Sequence, residues 1–263
     1  MTKLQSICEF LDRLCPPVLA EPWDNVGLLM GDSQAEVSRI MTCLTVTEAT
    51  AAEAVAERAS LIVSHHPLPF HPLNRLTTAS PEGRCLLMLA RAGIAIYSPH
   101  TAFDSAAAGI NQQLAAGLGL TQIAPLTVGD NVPAGTGLGR AGLVQSGTTL
   151  AAIADRAKHF LKIDQVQLVG PPERQVRLVG VACGSAGELH ATARQAGCEC
   201  LVTGEARFHT CLEALATGLS LLLVGHYSSE RFGVELLARV MQDQFADLTV
   251  WASRDERDPV SWH

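Results

Sequence analysis

Positive charge is scarce in this chain. Lys and Arg number 19 against 26 Asp and Glu, a formal net charge of -7, so no basic field exists to neutralise the phosphates of a duplex or an anionic membrane surface. Neither nucleic acid nor membrane is expected as a partner. Long apolar runs are missing as well: Leu219–Val224 is typical of the longest, far short of the roughly 20 residues that a membrane-spanning helix requires. The opening MTKLQSICEF lacks the uninterrupted apolar stretch of a signal peptide. The eight cysteines include no Cys-x-x-Cys pair, and their scatter through apolar segments reads as reduced core residues rather than a disulfide framework. A soluble cytoplasmic protein is the expectation. Two glycine-rich stretches, Gly135–Gly142 and Gly180–Gly187, lack the Gly-Lys-Ser/Thr ending of a phosphate loop and fit no clean Gly-x-Gly-x-x-Gly fingerprint. They read as turns. No Gly-x-Ser-x-Gly nucleophile elbow occurs either.

What remains is ample material for a core: 263 residues, 48% hydrophobic and 17% charged, a balance that folds without staples. Leu4, Ile7, Cys8, Leu11 and Leu14 recur at helical spacing before Pro16-Pro17 stops the pattern. Ile40–Val46 and Leu61–Ser64 read as strands around a helix over Glu48–Ala59, and Pro81 opens a helix that precedes a strand at Ile94–Tyr97. Asn111–Leu118 reads as a further helix. Pro125, Gly129, Pro133, Gly135, Gly137, Gly139 and Gly142 concentrate breakers over 125–147, which suits a connection between lobes. Thr148 then caps a helix to about Leu161, with strands at Val166–Val169 and Val176–Cys183 and a helix at Leu189–Ala196. Alternating strands and helices predict an α/β fold.

An offset of 140 residues lays one strand–helix–strand segment over another. Cys43 falls on Cys183, Glu48 on Glu188, Leu61 on Leu201, Ile62 on Val202 and His65 on Glu205. Later, Gly93–Asp104 and Gly218–Glu230 each pass from glycine through an apolar strand to a His-x3-acid ending, HTAFD and HYSSE. Unrelated strand–helix–strand units resemble one another often, but matching polar residues at the strand ends favour a duplicated half.

Strand ends matter because open α/β sheets bind ligands beyond the carboxyl ends of their strands. His65 and His66 leave one such tip, held extended by Pro67, and diverging neutral imidazoles suit Zn, Mn, Fe or Ni. His100 with Asp104, and His226 with Glu230, share one face of a starting helix. Each pair alone has an ordinary reading, an acid stabilised by the helix dipole beside a hydrogen-bonded core histidine. Several tips carrying imidazoles and carboxylates shift the balance towards a cation site. Thr203-Gly204-Glu205, with His209 nearby, offers a further acid.

The segments EPWDNVGLLMGD (21–32), SHHPLPFHPLNRLT (64–77), YSPHTAFD (97–104), VTGEARFH (202–209) and GHYSSE (225–230) together resemble the GTP cyclohydrolase 1 type 2-like family of dinuclear metal-centre proteins, over nearly the whole chain. The resemblance implies two lobes of intertwined, internally repeated strand–helix–strand units: 1–125, 126–217, and 218–263 completing the metal site. It implies a homohexamer with metal pairs facing an internal cavity. Two divalent ions would be held by His65, His66, Asp104, His226 and Glu230, with His100 close by. Glu205 stands where the family more often carries Asp. Open coordination positions would suit hydrolysis of a small molecule, for which the family name suggests a guanine nucleotide, with His100 or Glu205 as candidates for proton transfer. The competing expectation is a non-catalytic, metal-dependent scaffold or regulatory binding protein.

Overall fold

A computed structural model describes residues 2–261. The chain divides into two compact units, one running up to Phe103 and resuming over Gly233–Pro259, the other spanning Asp104–Phe232. Both are α/β.

In the first unit, Leu4, Ile7 and Leu11 are fully buried on one face of the helix Leu4–Leu14, as their spacing predicts. A five-stranded sheet follows the order Thr249–Ala252, Arg39–Cys43, Leu61–Ser64, Ala95–Ser98, Gly27–Met30. The first four strands are parallel and Gly27–Met30 is antiparallel to its neighbour. Every residue of Leu61–Ser64 is buried, the expected state of a parallel strand covered on both faces. Met41, Ile62 and Ile96 pack with Ala51 and Ala54 of the helix Glu48–Ala56 and with Leu86 and Leu89 of the helix Pro81–Arg91. Ser80 caps the latter by accepting a hydrogen bond from the Gly83 N–H. The former stops short of Ala59 because Arg58 adopts a left-handed backbone, φ 53°.

The second unit carries a six-stranded sheet in the order Thr121–Ala124, Arg140–Leu143, Leu178–Ala182, Cys200–Thr203, Ser220–Leu223, Gln167–Val169. Its three parallel strands are Leu178–Ala182, Cys200–Thr203 and Ser220–Leu223, flanked by antiparallel neighbours. Side chains alternate as a pleated strand requires: Val179, Val181, Cys200 and Val202 pack with Leu114, Leu118 and Ile153, whereas Leu201 packs with Ala193 and Ala214.

The breaker-rich stretch lies within this unit. It joins Thr121–Ala124 to Arg140–Leu143, two adjacent antiparallel strands, so the partition follows sheet membership rather than glycine content. Gly137 sits at φ 146°, and a Cβ there would lie 2.2 Å from the Thr127 carbonyl oxygen. The Arg140 side chain, fully buried, donates to the carbonyls of Gly137, Gly139 and Ala106 at 2.7, 2.6 and 2.6 Å. Burial pushes its pKa down, and these backbone dipoles stand in for water around the guanidinium.

Strand limits differ from the apolar runs for definable reasons. Leu44 and Val46 are buried, but the Leu44 and Thr45 N–H groups donate to the Glu256 carboxylate, at 2.9 and 2.7 Å, instead of to a neighbouring strand. Val176 donates to the Thr148 carbonyl and Arg177 N–H to Glu199, so that strand begins at Leu178. Thr149, not Thr148, caps the helix Leu150–Leu161, accepting from the Ala152 N–H at 3.2 Å.

Glu53 closes the edge of the first sheet. Its carboxylate accepts from Trp251 Nε1 at 3.1 Å, from Arg254 N–H at 3.0 Å, and from the Ser253 hydroxyl and the Asp255 N–H. Burial opposes ionisation, but these donors outweigh it and hold the pKa below the ordinary 4.5. A depressed folded pKa contributes stability above the unfolded value, lost as pH falls through the folded one. Glu53→Gln should therefore cost about 1–3 kcal/mol at pH 7 in urea unfolding. The gap between variant and parent should narrow as pH falls below about 4.5; a gap independent of pH would contradict the charged role.

Candidate metal centre

In the first unit the parallel ladder continues past its strands. His65 N–H donates to the Cys43 carbonyl at 2.9 Å and His66 N–H to Leu44 at 2.8 Å, which fixes both residues at the carboxyl end of Leu61–Ser64. The next parallel strand, Ala95–Ser98, ends just before His100, the first residue of the helix His100–Ser105. The rings of His65 and His66 lie 5.1 Å apart between centroids, with His100 at 5.2 Å from His65 and 5.6 Å from His66. One donor atom from each of the three lies within 4.8 Å of the others. His65 is buried and His66 half-buried.

Two polar groups orient these rings. Thr45 Oγ1 meets His66 Nδ1 at 2.8 Å, and Asp24 Oδ1 meets His100 Nδ1 at 2.7 Å. Burial pushes the Asp24 carboxyl up, but hydrogen bonds with His100, Thr101 and the Asn25 N–H outweigh it and hold the pKa down at about 2. A carboxylate on one imidazole nitrogen presents the other to a metal. His100 also sits at φ 29°, a backbone region costly for a non-glycine residue and typical of functional sites. Asp24 lies inside EPWDNVGLLMGD, yet residue type and spacing gave it no role; its one sequence signal was membership of that motif.

The second unit assembles its own acid–imidazole group at the ends of its parallel strands. His226 begins the helix His226–Gln244 directly after Ser220–Leu223 and the turn at Gly225. Its Nε2 lies 3.2 Å from Glu230 Oε2, and its Nδ1 lies 2.9 Å from Glu205 Oε1. Glu230 is buried. Its hydrogen bond to His226, aided by Glu205 and opposed by burial, raises the imidazole pKa to about 9. Gly184, at φ 64°, forms the floor: a Cβ there would fall 2.2 Å from Glu230 Oε1 and 3.5 Å from His226 Nε2. The Gly184 N–H donates to Ser229 Oγ at 2.9 Å.

Asp104 adjoins that floor through Cys183, whose thiol lies 3.3 Å from Asp104 Oδ1. Asn111 links the same two residues, accepting from the Cys183 N–H at 2.8 Å and donating to the Asp104 carbonyl at 3.2 Å. Burial, with Asp104 and Glu230 nearby, pushes the Cys183 thiol well above its usual range. His209 is exposed on the helix Phe208–Ala216. Of the residues singled out in the sequence, the first unit groups His65, His66 and His100, and the second groups His226, Glu230 and Glu205. Sequence reasoning missed Asp24, Thr45 and Asn111, short polar residues with nothing in their spacing to distinguish them.

The sequence that builds this arrangement matches a known family. The model for Duf34/NIF3 (NGG1p interacting factor 3) matches residues 2–259. The chain belongs to the Duf34/NIF3 family. Among its NIF3 relatives, the GTP cyclohydrolase 1 type 2 homolog of Streptomyces coelicolor is 32% identical over 271 residues, covering 100% of this chain and 95% of that one. The protein NIF3 homolog of Schizosaccharomyces pombe is 31% identical, covering 99% and 97%. A solved hypothetical protein from Staphylococcus aureus superposes with a TM-score of 0.90 at 27% identity, covering 99% of both chains. These likenesses agree with the expected family and α/β fold. Among the described residues no helix is long and apolar enough to cross a membrane.

In metal-free protein, an NMR titration of His226 should give a midpoint near 9. Glu205→Gln, by removing one of the two carboxylates, should move it downward. A midpoint near 6.5 in the parent would contradict the ion pairs described.

Proposed function

We propose that the protein is a metal-dependent hydrolase acting on a small molecule, with His65, His66, Asp104, His226 and Glu230 holding two divalent ions. The observation that carries this reading is the trio His65, His66 and His100, whose donor atoms lie within 4.8 Å of one another. The donor chemistry fits: neutral imidazoles and carboxylates together suit Zn, Mn, Fe or Ni. The floor at Gly184 also fits, since a side chain there would occupy the space beside Glu230 and His226. When bound, such ions would act as Lewis acids and lower the pKa of a coordinated water towards neutrality.

The chain's own residues supply orientation and proton handling. Thr45 on His66 Nδ1 and Asp24 on His100 Nδ1 leave Nε2 of each ring as the nitrogen we assign to the site. Glu205 holds His226 by Nδ1 in the same way. His100 and Glu205 are the candidates for moving a proton, each held by a hydrogen-bonding partner, Asp24 at 2.7 Å and His226 at 2.9 Å. Glu in place of the more usual Asp at 205 lengthens that reach by one methylene.

Under the same reading the two units are copies of one plan. Met41 pairs with Ile62, and Val181 pairs with Val202, so both parallel pairs join residues that the sequence offset of 140 relates. The return of the chain to the first unit at Gly233 suits intertwined copies. The family resemblance adds a cytoplasmic homohexamer, and the name of the Streptomyces coelicolor relative makes a nucleotide the first substrate class to screen.

The test is to load purified protein with Mn, Zn, Fe or Ni and screen nucleotides, phosphodiesters and cyclic amides. Metal-dependent turnover should appear, and His66→Ala and Glu230→Ala should each abolish it and lower the bound metal. Retained assembly without turnover across the panel would instead favour a metal-dependent scaffold. Asp24→Asn, which preserves volume but removes the charge behind His100, should lower metal-dependent turnover roughly 10- to 100-fold while leaving the bound metal in place, because His100 is assigned to proton transfer and not to the ions. Unchanged turnover would show that Asp24 only braces the turn.

A further inference from the structure

Beside the three histidines, the first unit exposes two large aromatic rings. Trp23 is 57% exposed and Phe70 37%. Their rings are 6.0 Å apart between centroids and nearly parallel, at 27°. Both stand almost upright on His100: Trp23 at 5.9 Å and 74°, Phe70 at 5.8 Å and 71°.

The pair is held in place rather than left loose. Asn25 Nδ2 donates to the Pro69 carbonyl at 2.8 Å, tying the residues that follow Trp23 to the one that precedes Phe70. Asp24, between Trp23 and Asn25, has a fully buried side chain bound to His100 and also accepts from the Thr101 N–H at 3.1 Å. The Glu21 N–H donates to Thr101 Oγ1 at 3.0 Å. Two exposed apolar rings fixed by a hydrogen-bonded frame are a preorganised surface, and order established before binding is not lost again on binding.

We propose that Trp23 and Phe70 form a stacking wall for a planar heteroaromatic group of the substrate handled at the neighbouring histidines. This rests on the metal-site reading above and specifies its substrate class. The rings already touch each other in an offset stack, so no slot exists between them. A planar group lies against their exposed faces, as bases do on aromatic platforms. A ring parallel to Trp23 stands nearly perpendicular to His100, so it turns an edge rather than a face to the imidazole. Edges carry the in-plane lone pairs of a heterocycle's ring nitrogens and carbonyl oxygens, the atoms that coordination would address. An aliphatic chain gains no such orientation.

The experiment uses full-length, manganese-loaded protein, with guanosine and adenosine as probes and cyclohexanecarboxamide as the aliphatic control, followed by calorimetry. Both nucleosides should bind more tightly than the control. Trp23→Ala and Phe70→Ala should each weaken nucleoside binding roughly 5- to 100-fold, while Trp23→Phe, which keeps a stacking face, should stay within a few-fold of the parent. Manganese content, measured by elemental analysis, should be unchanged in all three variants. No nucleoside binding to the loaded parent, equal binding of the control, or unchanged affinity in Trp23→Ala overturns the wall. If Trp23→Ala instead alters the mass in solution and leaves nucleoside affinity intact, the rings are a subunit contact and the proposal fails. A parent that holds no manganese defeats the metal-site reading separately, and the same titration on metal-free protein then decides the wall alone.

Discussion

A parallel strand buried on both faces commits its backbone to its neighbours and its side chains to the core, so it can present chemistry only where it ends. This constraint organises both units. Leu61–Ser64 is buried throughout, and the first polar side chains it can release are those of His65 and His66. Cys200–Thr203 and Ser220–Leu223 are likewise fully buried and lead to Glu205 and His226. Ladder bonds that persist beyond the last apolar residue, such as His65 N–H to Cys43 and His66 N–H to Leu44, extend the rigidity of the sheet to the donors themselves. Precision of this kind is what separates a ligand set from histidines that merely lie near one another.

Imidazoles placed by strands still have two nitrogens and a free choice of tautomer. Neighbours that hydrogen-bond one nitrogen of each ring hold its orientation. Asp24 engages His100 from behind, Thr45 engages His66, and Glu205 engages His226. These partners differ in kind, a buried carboxylate, a hydroxyl and a half-exposed carboxylate, and so they tune the rings differently. The His226 group carries the larger negative field, because Glu230 and Glu205 address the same ring.

Much of this was legible from periodicity and strand-end chemistry. Leu61–Ser64 was bounded correctly, and Leu4–Leu14 was plain from its apolar spacing. Apolar content overstated other strands, because burial and ladder pairing are separate properties: Leu44 is buried, yet its N–H belongs to Glu256. Thr249–Ala252 was not read as a strand because its partner, Arg39–Cys43, lies at the far end of the sequence. Glu53 sits in an Ala- and Glu-rich helix and reads as a solvated charge until the C-terminal donors close on it. Asp24 has the same difficulty in a turn. A buried acid is recognisable only from what surrounds it, and those surroundings are non-local.

Glu256 shows how far such dependence reaches. Its carboxylate accepts from the backbone of Leu44 and Thr45, and Thr45 in turn sets the ring of His66 through its hydroxyl. A residue near the C-terminus thereby anchors the backbone that brings a hydroxyl against an imidazole some two hundred positions earlier, with one residue between them. Glu53 reinforces the arrangement by gathering Trp251, Ser253, Arg254 and Asp255 around a second buried carboxylate. Two anions placed under backbone N–H groups cost less than their burial suggests, because a carboxylate that accepts several such bonds is stabilised in its charged form. The segment that follows Thr249–Ala252 is therefore part of the support of the histidine site, and the apolar core beneath the sheet could not replace it: hydrophobic contacts fix position but leave the orientation of a ring undecided.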